Sequence, residues 1–149
     1  MPALPLFPVT TVGSWPRPLW LLEAARKKSK DLESIRDDAC LLALKRQEDA
    51  GVDIVTDGEQ RRDNFYSYIC ERLQGATLMT MADLLDYVED KAGFETLLAA
   101  LDVPAFAIKN PTVTGKLSRL RPLALDDFRF LRARKQRAIK VTLPGPYLL

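Results

Sequence analysis

A chain of 149 residues with 22 basic and 20 acidic side chains carries a formal charge of +2, and 47% apolar against 28% charged residues is a globular balance that excludes an intrinsically disordered chain. The length suits one domain, 1–149. No apolar run reaches the ~18–20 residues of a membrane span, and the start has three prolines in eight residues and no basic segment, so no membrane partner or signal peptide is expected and the chain reads as cytoplasmic.

The β-branched run 7–12 predicts a strand that stops at Gly13-Ser14. Pro16 and Pro18 then suit the first turn of a helix capped near Ser14 or Trp15, with Leu19, Leu22 and Ala25 at helical spacing and Arg26-Lys27-Lys28 at its end. A second helix starts near Asp31, carries the stripe Leu32, Ile35, Ala39, Leu42 and Ala43, and ends at Gly51. A second strand, 52–56, runs into Asp57-Gly58-Glu59 and a polar loop over 60–64. Helical patterns follow over 65–73, 80–90 and 94–101, then an extended piece over 105–108 and a third strand over 112–117. Asp126 or Asp127 is placed to cap a helix running to Arg137, and a fourth strand over 138–143 meets Pro144-Gly145-Pro146.

Strands alternating with helices predict an α/β fold with parallel strands. A (β/α)₈ barrel takes about 250 residues, so four strands read as a partial TIM barrel: the first four parallel strands with their helices. A flavodoxin-like open sheet is the intact alternative, though it calls for a fifth strand and a closing helix.

There is no histidine, which removes histidine general bases and metal sites built on that residue. Cys40 and Cys70 are too far apart for a CxxC pair and are expected to be buried thiols. Positions 109–140 hold ten basic and two acidic residues, a net of +8. Such a run can meet a polyanion, or it can be a solvated helix face (Arg129, Arg132, Lys135) plus charges that would pair with a second half of the barrel. No nucleic-acid partner is expected, because binding motifs and interleaved aromatics are missing.

Two turns carry the chemistry. In a parallel barrel the carboxyl ends of the strands form the functional face. The turn at Val12-Gly13-Ser14 offers free backbone N–H groups that can cradle a carboxylate or phosphate; the alternative is that Ser14 only caps a helix. The turn Asp57-Gly58-Glu59 lies after the next strand, hence beside it, and projects a carboxylate that can hold an ammonium group. The alternative there is that Glu59 pairs with Arg61 or Arg62. Cradle and carboxylate together suit the two charged ends of an amino acid.

The segments TTVGSWPRP, GVDIVTDGEQRRDNF, PTVTGKLSRL and IKVTLPGPYLL, in that order, resemble the cobalamin-independent methionine synthase family over the first half of its C-terminal catalytic barrel. The resemblance implies methyl transfer from a methyl-folate to the thiol of homocysteine. It implies that Val12, Gly13 and Ser14 bind homocysteine, that Glu59 takes its amino group, and that Arg62 and Asp57 support the site. It also implies a zinc ion in the complete enzyme, held by a histidine, two cysteines and a glutamate of the second half, so no metal ligand and no catalytic residue is expected in this chain and the chain alone is expected to be inactive. Two departures bear on the methyl donor: Asn64-Phe65 stands where relatives have Asp-Met, and 106–111 lacks the Arg-Cys of the folate region. Alternatives are a related zinc-dependent transferase acting on another thiol such as coenzyme M, or a non-catalytic protein that self-associates or pairs with a second half-barrel.

Overall fold

A computed structural model describes residues 3–100, 109–134 and 137–146. The chain forms two compact units, one from Met1–Phe65 with Pro122–Leu143 and one from Tyr66–Arg121 with Pro144–Leu149.

The first unit is the α/β part. Pro18, extended at φ −60°, precedes helix α1 (Leu19–Arg26), which buries Leu21 and Ala24. Helix α2 (Leu32–Asp49) buries Ala39, Cys40, Ala43, Leu44 and Gln47. This is the expected helix with its stripe rotated: Leu42 is exposed, and the inner face continues through Leu44 to Gln47. Gly51, at φ +75°, follows the helix end as expected.

Strand β1 (Ile54–Val55) sits between two parallel neighbours. On one side Thr10 forms a parallel bridge with Ile54, and the Val9 carbonyl accepts from the amides of Asp53 (3.0 Å) and Ile54 (3.1 Å). On the other side Ile54 and Val55 pair in parallel with Ala138 and Ile139, which form β4. The expected first strand is therefore reduced to a bridge, and the second and fourth are shorter than expected. Leu44, Val52, Val55 and Leu131 form a buried cluster between helices and sheet, with Phe130 and Ile139 packed on it. Leu131 comes from α5 (Leu125–Arg132), preceded by Ala124 with no side-chain cap. The expected Asp126 or Asp127 cap is thus corrected: Asp127 lies inside the first turn and is buried.

The second unit departs most from expectation. Residues 65–73 are not one helix: a 3-10 turn covers Ser67–Glu71, and strand β2 (Leu73–Thr80) begins at once. The pattern over 80–90 resolves into α3 (Met81–Leu84), capped reciprocally by Thr80 and Asp83, and a 3-10 turn over Leu85–Tyr87. Helix α4 is Lys91–Ala100. The extended piece at 105–108 lies outside the described residues. The third strand exists as β3 (Lys109–Arg119), but it pairs antiparallel with β2, from Thr80↔Lys109 to Leu73↔Arg119. It does not join the parallel sheet, so the described parallel set has three segments rather than four. The register shifts between Gln74 and Ala76, where Gly75 at φ +81° comes so close to the other strand that a Cβ would lie 2.5 Å from the Lys116 carbonyl oxygen.

Candidate functional site

The two expected turns meet at the carboxyl ends of the parallel strands. The Trp15 amide donates to the Gly58 carbonyl (3.0 Å), and Gln60 Nε2 bridges the Trp15 carbonyl (2.8 Å) and the Gly58 carbonyl (3.1 Å). Gly58 is buried at φ +68°, and a Cβ there would lie 2.8 Å from Ala43 Cβ and 2.9 Å from Trp15 Cβ. Only a glycine lets the second turn pass between α2 and the first turn.

Ser14 does not cap a helix, because α1 starts at Leu19. Its hydroxyl instead donates to Glu59 Oε2 at 2.8 Å. Glu59 makes no ion pair among the described residues; Arg61 binds Asp37 and lies near Glu33 and Asp127, and Arg62 faces Asp127 at 3.5 Å. Glu59 is only 3% exposed. Its second oxygen, Oε1, receives no hydrogen bond among the described residues, so it remains an acceptor on the same carboxylate.

The amides of Val12, Gly13 and Ser14 likewise donate to no acceptor among the described residues. All three residues are exposed, and Gly13 takes φ +88°. No helix N-terminus adjoins this cradle, since α1 starts only at Leu19; the donors are the turn's own amides.

Glu59 has a left-handed backbone, φ +56°, which costs of order 1–3 kcal/mol at a side-chain-bearing residue and persists only where neighbours over-determine it. Asp57 Oδ1 accepts from the Glu59 amide at 3.0 Å. The Glu59 carbonyl accepts from the Arg62 amide (3.2 Å) and from Arg17 Nη2 (3.3 Å). Burial pushes the Asp57 carboxyl above its ordinary value; the Glu59 amide, Arg62 and Arg61 oppose this, and Asp127 adds to it. Asp57 Oδ2 is buried with no hydrogen-bond partner among the described residues.

Arg62 ties the second turn to the end of the third parallel segment: Nη1 donates to the Thr142 carbonyl at 2.8 Å. Gln47 does the same for α2, with Nε2 donating to the Ala43 (3.0 Å) and Thr56 (2.9 Å) carbonyls while Oε1 accepts from the Thr56 amide (3.0 Å). Spacing in the sequence does not point to Arg17, Gln47 or Gln60. A polar residue on an otherwise apolar helix face, as at Gln47, was the available signal.

Cys40 is buried in α2, where desolvation pushes its thiol up to about 12 despite the opposing charge of Arg61. Cys70 is half-buried, and neither cysteine forms a disulfide. The basic run is divided between the units: Lys109, Lys116, Arg119 and Arg121 belong to the second, while in the first Arg137 donates to the Val52 carbonyl and Lys140 to the Thr11 carbonyl. Among the described residues no helix is long and apolar enough to cross a membrane.

A parallel α/β sheet with a built polar turn at its carboxyl edge defines the class: an α/β domain with a candidate site where strands end. The model of the cobalamin-independent synthase catalytic domain matches residues 7–100. The chain belongs to that family. It is 33% identical to the methionine synthase of Sulfurisphaera tokodaii over 156 aligned residues, covering all of this chain and 41% of the relative, and 30% identical to that of Sulfolobus acidocaldarius, covering 97% and 39%. Among solved structures, a B12-independent methionine synthase from Shewanella sp. W3-18-1 in complex with selenomethionine matches with a TM-score of 0.66 and 32% identity, over 93% of this chain and 38% of that one. The chain thus spans about two fifths of the length of these relatives.

Proposed function

We propose that this chain supplies the amino-acid-binding part of a methionine-synthase-like methyltransferase, with homocysteine as the thiol acceptor and a methyl-folate as the donor. The parallel segments at Thr10, β1 and β4 are then the opening strands of a (β/α)₈ barrel. The observation that carries the reading is the 2.8 Å hydrogen bond from Ser14 to Glu59, which joins the two turns into one polar site. The amides of 12–14 take the substrate carboxylate and Glu59 Oε1 takes its ammonium group, each through charge-assisted hydrogen bonds. The Shewanella relative is in complex with selenomethionine, an α-amino acid with the same two charged ends.

The residues present do not fit the zinc ion that the family resemblance implies. The chain has no histidine, Cys40 is buried with its thiol held protonated by burial, and no group of three acidic or cysteine side chains suitable for a metal occurs among the described residues. Zinc activates a thiol by binding it as thiolate, and no such step is assigned to this chain. Its part is to bind the acceptor and fix its orientation. The chain alone is expected to bind but not to transfer.

Calorimetric titration of the 149-residue chain with L-homocysteine tests this. Glu59→Gln is expected to weaken binding by about 10–100-fold, the worth of a charged hydrogen bond. Coenzyme M, which has a sulfonate and no ammonium group, is expected to bind far more weakly to the wild type. Equal affinity of the wild type and Glu59→Gln for homocysteine rejects the site.

A further inference from the structure

Resting on that reading, we infer that Arg17 is a positioning residue for Glu59. Arg17 lies between the first turn and α1, and its Nη2 donates to two main-chain carbonyls of the second turn, those of Glu59 (3.3 Å) and Arg62. These are the two ends of the turn closed by the Arg62 amide on the Glu59 carbonyl. Asp57 holds the amide side of Glu59, and Arg17 holds the carbonyl side.

Among the described residues no carboxylate lies within ion-pair distance of Arg17. Its neighbours Arg61 and Arg62 both face Asp127, and Arg61 also binds Asp37. Arg17 thus brings a half-buried positive charge to converging carbonyl oxygens that have a negative partial charge. That charge holds the left-handed backbone at Glu59, which aims the carboxylate at Ser14. Arg17 makes no contact with Glu59's carboxylate, so its effect on the ligand passes through the backbone.

The test uses Arg17→Met, which keeps the stem and loses every donor, and Arg17→Lys, which restores a cationic donor. Arg17→Met is expected to weaken L-homocysteine binding by about tenfold, and Arg17→Lys to stay within about threefold of the wild type. The double variant Arg17→Met/Glu59→Gln is expected to bind no worse than Glu59→Gln alone, because both changes remove one interaction. Losses that add in full, or an unchanged affinity in Arg17→Met, overturn the inference. A ligand-free readout separates it from the parent reading. The Gly58 and Glu59 amide resonances should move in Arg17→Met and return toward their wild-type positions in Arg17→Lys. If homocysteine fails to bind the wild type, the amino-acid site falls, and these resonances alone decide Arg17: immobile, they refute the positioning role.

Discussion

Two residues of the second turn adopt left-handed backbone, and they do so for different reasons. Gly58 must, because Ala43 and Trp15 leave no room for a Cβ. Gly58→Ala should therefore cost about 1–3 kcal/mol through overpacking, with further strain from its positive φ, read as a lower urea midpoint. Glu59 is held there from both sides by Asp57 and Arg17. Asp57 contributes with a sign that pH can expose. Its carboxyl is raised above 3.8, mainly by burial, so the folded chain binds the proton more tightly than the unfolded one. That contribution favours folding below the ordinary carboxyl range and is lost as pH rises through the folded value. Asp57→Asn keeps the oxygen that accepts from Glu59 and removes the buried charge. It should raise the urea midpoint at pH 7, with the advantage shrinking as pH falls toward 4. The pairing of residues 14 and 59 was legible because each follows a β-branched run at a glycine turn. Arg17 and Gln47 were not legible, because what defines them is a bond to a carbonyl far along the chain, which leaves no local pattern.

At the scale of elements, buried polar side chains fasten the pieces. Gln47 occupies a core position at 0% exposure and satisfies both main-chain groups of Thr56. Gln47→Ala strands a buried amide and a buried carbonyl, each worth about 1–3 kcal/mol; thermal unfolding should show the loss, and Gln47→Glu should not restore it. The helices α1 and α2 and the strand positions of the first unit were readable from period and end signals. Strand β2 was not. Its Gln74-Gly75-Ala76 stretch has no alternation, and its extended form depends on antiparallel pairing with β3, whose partner residues lie 29 to 46 positions further along the chain. The Asp126/Asp127 cap failed for a related reason: Asp127 is drawn inward by the buried guanidinium of Arg62, an ion pair that outweighs a local cap.

For the whole molecule, the first segment stands out. Leu6, Phe7 and Val12 are 87%, 83% and 93% exposed beside a backbone that pairs on one side at Thr10. Exposed apolar side chains clustered on one segment favour association. The 149-residue chain is expected to self-associate with rising concentration in analytical ultracentrifugation, and Leu6→Lys/Phe7→Lys should shift it toward monomer without altering the Glu59 amide resonance. The same unit has a second unusual property. Val52 and the Arg137 that binds its carbonyl are 85 positions apart, and the buried cluster of Leu44, Val52 and Val55 is completed by Leu131. A ribosome must therefore finish the entire intervening unit before these side chains meet their last partner. During that interval the nascent chain presents an incomplete oily surface, a natural target for chaperone capture.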